Sequence, residues 1–96
     1  MKKDLELKRA EIFRGRQHKL VFLKLRENGH IVSEIMKEVN LHLEDGKKLR
    51  LREVSRALKW LAEKNYAECL NPSNKQGVKG IVYRLSKEGE KIRDKL

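Results

Sequence analysis

Between Leu51 and Leu85 an amphipathic basic segment runs into two short β-forming runs, and this order constrains the fold more than any other feature of the chain. In Leu51-Arg-Glu-Val-Ser-Arg-Ala-Leu-Lys-Trp-Leu61 the apolar residues Leu51, Val54, Leu58 and Leu61 recur at helical spacing and fall on one face. Arg52, Ser55, Arg56 and Lys59 project from the opposite face, with donors suited to phosphate oxygens and base edges. The helix is expected over about residues 52–64, with Asn65 as the left-handed residue that ends it. Residues 66–70 and 80–86 then read as antiparallel strands, because the Asn-Pro-Ser-Asn and Gln-Gly-Val-Lys-Gly stretches between them are turn-forming.

Upstream, residues 2–13 predict a charged amphipathic helix with Leu5, Ala10, Ile12 and Phe13 as its buried candidates, ended by Gly15. Residues 16–27 carry Leu20, Val21, Phe22, Leu23 and Leu25 and predict the central core helix, stopped by Asn28-Gly29. Ile31-Val32 suits a brief β-bridge. Ser33 is a good N-cap for a third helix with Ile35, Met36 and Val39 facing inward, ending near Asn40. Residues 41–51 place alternating leucines around Asp45-Gly46, a pattern that fits a small hairpin or a helix tail, turn and lead-in. The second is favoured, because an isolated hairpin is marginal in water. Ser86 caps a last helix over residues 87–96, with Ile92 and Leu96 on one side.

Charge indicates the partner class. Twenty-four Lys and Arg against fourteen Asp and Glu give a formal net charge of +10 on 96 residues, so a polyanion is the natural partner. A thermophile-like surface is also rich in Lys and Glu, but it mixes the signs more evenly. The length allows one domain with a small core, which dimerisation would help. No apolar run approaches a membrane span, the first residues lack a signal-peptide apolar stretch, and the single cysteine fits a reducing compartment. A cytoplasmic protein without membrane contact is expected.

Val54-Ser-Arg-Ala-Leu-Lys-Trp-Leu-Ala-Glu-Lys-Asn-Tyr66, followed by Tyr83-Arg-Leu-Ser-Lys-Glu-Gly89, resembles winged helix-turn-helix regulators of the MarR and ArsR kind. The resemblance spans roughly residues 16–90. It implies an α+β winged helix-turn-helix with a three-helix core, a two-stranded wing and additional terminal helices. The whole chain is then one domain: an N-terminal helix over residues 1–14, the winged-helix core over 16–86 and a C-terminal helix over 87–96. It further implies double-stranded DNA as the partner. Ser55 and Arg56 match positions that commonly meet DNA, Lys75 and Lys79 fall at the wing tip, and Arg84 on the second strand reinforces it. One departure is the segment between Leu41 and Val54, which is longer than the usual compact turn and holds Lys47, Lys48 and Arg50. These three cations either meet the DNA backbone or decorate a solvated loop.

Other chemistries find less support. His18, His30, His42 and Cys69 are spaced too widely for a local two-ligand metal unit, so no metal and no cofactor are expected. Cys69 reads as a buried strand thiol, and Trp60, Tyr66 and Tyr83 as packing residues rather than base-stacking platforms. No Gly-rich phosphate loop, nucleophile-base pair or carboxylate pair suggests an enzyme. Leu5, Ile12 and Phe13 in the first helix, with Ile92 and Leu96 in the last, are expected to form a symmetric homodimer interface. The functional expectation is sequence-specific DNA binding by a dimeric transcriptional regulator that acts by operator occlusion. The rival expectations are a winged-helix module that binds an acidic protein, and an RNA- or ribosome-associated protein.

Overall fold

In a computed structural model, which describes residues 2–72, 77 and 80–94, the periodic segment forms α4 (Leu51–Glu63). Val54, Leu58 and Leu61 are fully buried as their spacing predicts, Ala57 joins them, and Leu51 is half-buried at the edge. This face packs on α2 (Arg16–Lys24), which contributes Val21 and Phe22. Helix α2 ends at Lys24, three residues short of the expected Glu27. Leu25 is already extended (φ −67°, ψ 142°), its side chain is buried, and the Arg26 carbonyl accepts the Leu85 N–H at 2.7 Å. Pairing with a strand distant in sequence thus takes the backbone that would have continued the helix. Leu20 is only half-buried and Leu23 is exposed, so the apolar side of α2 is narrower than its composition suggests.

The same competition sets the start of α3 (Val32–Asn40). Ser33 is not its N-cap. Ile31 takes that position without a side-chain cap, because His30–Ile31 forms β1 and the Val32 N–H still donates to the Ile81 carbonyl at 3.0 Å. Val32, Ile35 and Val39 are buried, whereas Met36 is half-buried. Residues 41–50 follow the helix-loop expectation, with a single 3-10 turn at Asp45–Lys47 and no hairpin.

Strands β2 (Ala67–Cys69) and β3 (Val82–Leu85) complete an antiparallel sheet of order β1-β3-β2. Ile31 pairs with Val82, Ala67 with Leu85, Glu68 with Arg84, and Cys69 with Tyr83. Tyr83, Leu85 and Ala67 face the core while Glu68 is exposed, the alternation expected of a half-covered sheet. Asn65 links α4 to β2 with φ 67°, the left-handed conformation its type tolerates.

Ser86 caps α5 (Lys87–Asp94) as expected. Its Oγ accepts the Gly89 N–H at 3.0 Å and donates to the Asn65 carbonyl at 2.6 Å. Helix α5 packs against α1 (Lys2–Arg14), with an ion pair between Lys8 and Glu88. This docking corrects part of the expected dimer surface. Ile12 and Ile92 are wholly buried within one chain, and Leu5 and Phe13 are half-buried against the same core. Leu96 lies outside the described residues. Among those residues the chain is an α+β fold of five α-helices and one three-stranded antiparallel sheet.

Candidate nucleic-acid interface

With its apolar face committed to α2, helix α4 exposes Arg52, Arg56, Lys59 and Glu63 along one stripe. Among the described residues, Arg52, Arg56 and Lys59 make no ion pair or side-chain hydrogen bond, so their donors face solvent uncommitted. Ser55 sits differently from the sequence expectation. It is only 6% exposed, and it lines the floor of a shallow depression of about 290 Å³ whose rim is Leu51, Arg52, Arg56 and Lys59. Ser55 is therefore a small residue under the basic side chains rather than a projecting contact. The stripe is polarised: the three cations occupy the first nine residues of the helix, and Glu63 lies at its last. Positive charge is therefore concentrated at the N-terminal part, where the helix dipole adds to the same field.

Beside that N-terminus lies an open cleft of about 850 Å³ between the start of α2 and residues 45–53. Arg16, Lys47, Lys48, Arg50 and Arg52 line it together with Asp45 and Glu53. The loop that carries its cations is firmly held. Leu49 is buried, and the Asn40 side chain both donates to the Leu49 carbonyl at 2.9 Å and accepts the Leu49 N–H at 2.8 Å. Arg16 donates to the Lys47 carbonyl at 2.5 Å, tying the loop to α2. Glu53 accepts the Arg50 N–H at 2.9 Å and the Gln17 Nε2 at 2.6 Å, which caps α4 and fixes it against α2. The cleft is positive because its five cations outnumber its two acids, Glu53, which accepts these donors, and Asp45, which pairs with Lys48 at 3.0 Å.

The remaining expected contacts divide. Arg84 is on β3, where its Nε and Nη2 meet the Glu68 carboxylate at 2.8 and 2.7 Å. Arg84 is on the second strand as expected, but this in-register cross-strand pair engages its guanidinium with Glu68. Lys75 and Lys79 lie outside the described residues. Arg16, absent from the sequence expectation, is brought to the site by the tertiary fold, and nothing in the pattern around Gly15 marks it.

Trp60 flanks this region without facing it. Its ring is half-buried and stacked on His18, with centroids 4.1 Å apart and planes 7° from parallel, and Tyr66 packs at 6.1 Å. Burial in this contact pushes the His18 imidazole below its ordinary pKa. Both aromatic placements agree with the packing role read from the sequence. Cys69 is half-buried on β2. Among the described residues no group of three His, Cys, Asp or Glu side chains is arranged to hold a metal, and no helix is long and apolar enough to cross a membrane.

No protein-family model matches the chain, and searches of curated proteins and of solved structures likewise give no match.

Proposed function

We propose that the chain is a winged-helix domain that binds double-stranded DNA, with the N-terminal part of α4 in the major groove, and that it acts as a transcriptional regulator by occluding its site. The observation that carries this reading is the uncommitted stripe of Arg52, Arg56 and Lys59 on a helix whose opposite face is locked into the core. A rigid helix with three free cationic side chains at successive turns is the geometry that groove entry requires. The succession α2, β1, α3, α4, β2, β3 with sheet order β1-β3-β2 is compatible with a winged helix, and the net charge of +10 supports a polyanionic partner. Homodimerisation on a palindromic site belongs to this proposal, and Ile12 and Ile92 take no part in it.

The test is selection from a random duplex library followed by competition of the selected duplex against random duplex, double-stranded RNA and an acidic protein. Preferential retention of one duplex sequence is expected. Equal retention of random duplex and RNA, or displacement by the acidic protein alone, would overturn the reading. Sedimentation with and without the selected duplex gives the stoichiometry.

A further inference from the structure

The cations at residues 47–50 belong to a segment that the sequence leaves open between a backbone contact and a solvated loop. Its fastening is unusual for a solvated loop. One side chain of α3 satisfies both backbone groups of Leu49, the Leu49 side chain is buried, and Arg16 of α2 holds the Lys47 carbonyl. With Glu53 of α4 accepting the Arg50 N–H, three helices thus converge to hold residues 47–50 beside the open cleft. Arg16 spends one Nη2 donor on the Lys47 carbonyl, and the rest of its five-donor guanidinium remains for an acceptor. Lys48 contributes least, since Asp45 already pairs with it.

We infer that this cleft is a preorganised dock for the DNA backbone, in which Arg16, Lys47 and Arg50 grip phosphates beside the groove entered by α4. The inference rests on the DNA-binding reading above and adds to it a second attachment, separate from the helix stripe. The cleft adjoins the N-terminus of α4, and Arg52 lines both it and the depression over Ser55. A phosphate strand can therefore pass from one to the other without leaving positive potential. Preorganisation matters here because side chains already held at the right spacing lose less freedom on binding. A DNA backbone suits the open cleft better than a small anion, because an extended chain can run through a site that encloses nothing.

The experiment measures duplex affinity as a function of salt for the unmodified protein, for Lys47→Gln with Arg50→Gln, and for Lys87→Gln with Lys91→Gln on α5. The exposed positions chosen leave the core intact, and thermal melts verify this for each variant. Loss of two phosphate contacts lowers the log–log salt slope by about 1.8, so the affinity ratio between 50 and 200 mM salt falls by about twelvefold. The cleft variant should show this change and the α5 variant should not. Arg16→Lys should give an intermediate slope, since a lysine keeps the charge but cannot hold the Lys47 carbonyl and a phosphate at once. Titration with inorganic tripolyphosphate, followed through backbone amide shifts of residues 45–53, forms the second arm. Tripolyphosphate binding without any change in duplex salt slope would assign the cleft to a free anion and overturn the inference. An unchanged slope, or an equal change in the α5 variant, would overturn it as well while leaving the α4 reading standing. Absence of duplex binding by the unmodified protein would overturn both.

Discussion

The His18 imidazole lies flat on the Trp60 indole, 4.1 Å between ring centroids, and so joins α2 to α4 on the flank of the basic stripe. Trp60 is one residue from the centre of the apolar face of α4, and the stack lets its large ring cover the helix edge. Tyr66 packs tilted against the same indole, 6.1 Å between ring centroids. An imidazole that titrates thus forms part of the contact between α2 and α4.

That titration has a sign. Burial lowers the folded-state pKa of His18, so the unfolded chain binds the proton more readily. The contribution of neutral His18 is complete above the unfolded value of about 6.5 and is lost as pH falls from there through the lowered folded value. Thermal melts between about pH 7.5 and about pH 5 should therefore show a drop in Tm that His18→Gln reduces. Equal pH dependence in the variant would show that His18 is not its source.

Gly89→Ala should destabilise the fold although it adds a single methyl group. A Cβ at this position would lie 2.2 Å from the Tyr66 carbonyl oxygen and 2.8 Å from the Leu85 side chain, and a backbone oxygen cannot turn aside. The cost is expected at about 1–3 kcal/mol, from overpacking where α5 meets β3 and the link between α4 and β2. Denaturant unfolding measures it; a change under about 0.5 kcal/mol would show that α5 shifts freely.

Asn40→Ala leaves both backbone groups of Leu49 without their side-chain partner. Each lost hydrogen bond costs about 1 kcal/mol, so a loss of about 1–2 kcal/mol is expected, with faster amide exchange over residues 45–50. Unaltered exchange in that segment would show that Leu49 burial alone holds the loop.

Ile92→Glu should unfold the chain rather than separate two copies of it, because Ile92 is wholly buried within one chain. A destabilisation on the order of 3 kcal/mol or more is expected from an unpaired buried charge. Leu7→Glu, at a side chain 69% exposed on α1, should change stability by no more than about 0.5 kcal/mol. A folded Ile92→Glu variant with a lower sedimentation coefficient would restore Ile92 to an interface between chains.

Arg56→Ala should weaken binding of a selected duplex by about 1–3 kcal/mol while affecting random duplex less, as expected for a bidentate base contact. Equal losses on both would make Arg56 a phosphate contact. No loss on either would remove the α4 stripe from the interface.

Much of this fold is legible in the sequence where a local signal and the tertiary environment agree. The spacing of Val54, Leu58 and Leu61 determined α4 and its buried face, Asn65 determined the left-handed turn that ends it, and Ser86 determined the start of α5. The exposed cations Arg52, Arg56 and Lys59 followed as the complement of that face. What the tertiary structure decided lies where a distant segment competes for the same groups. Strand β3 took the Arg26 carbonyl and shortened α2, strand pairing displaced Ser33 from its cap, and Glu68 took Arg84. Packing of α1 on α5 turned two expected interface residues, Ile12 and Ile92, into core. The cleft is the furthest from local reading, because Arg16, Asn40 and residues 47–50 come from three parts of the chain. Sequence periodicity reports which face of one element is apolar; which side chains meet across elements depends on how those faces dock, and that is set only when the whole core closes.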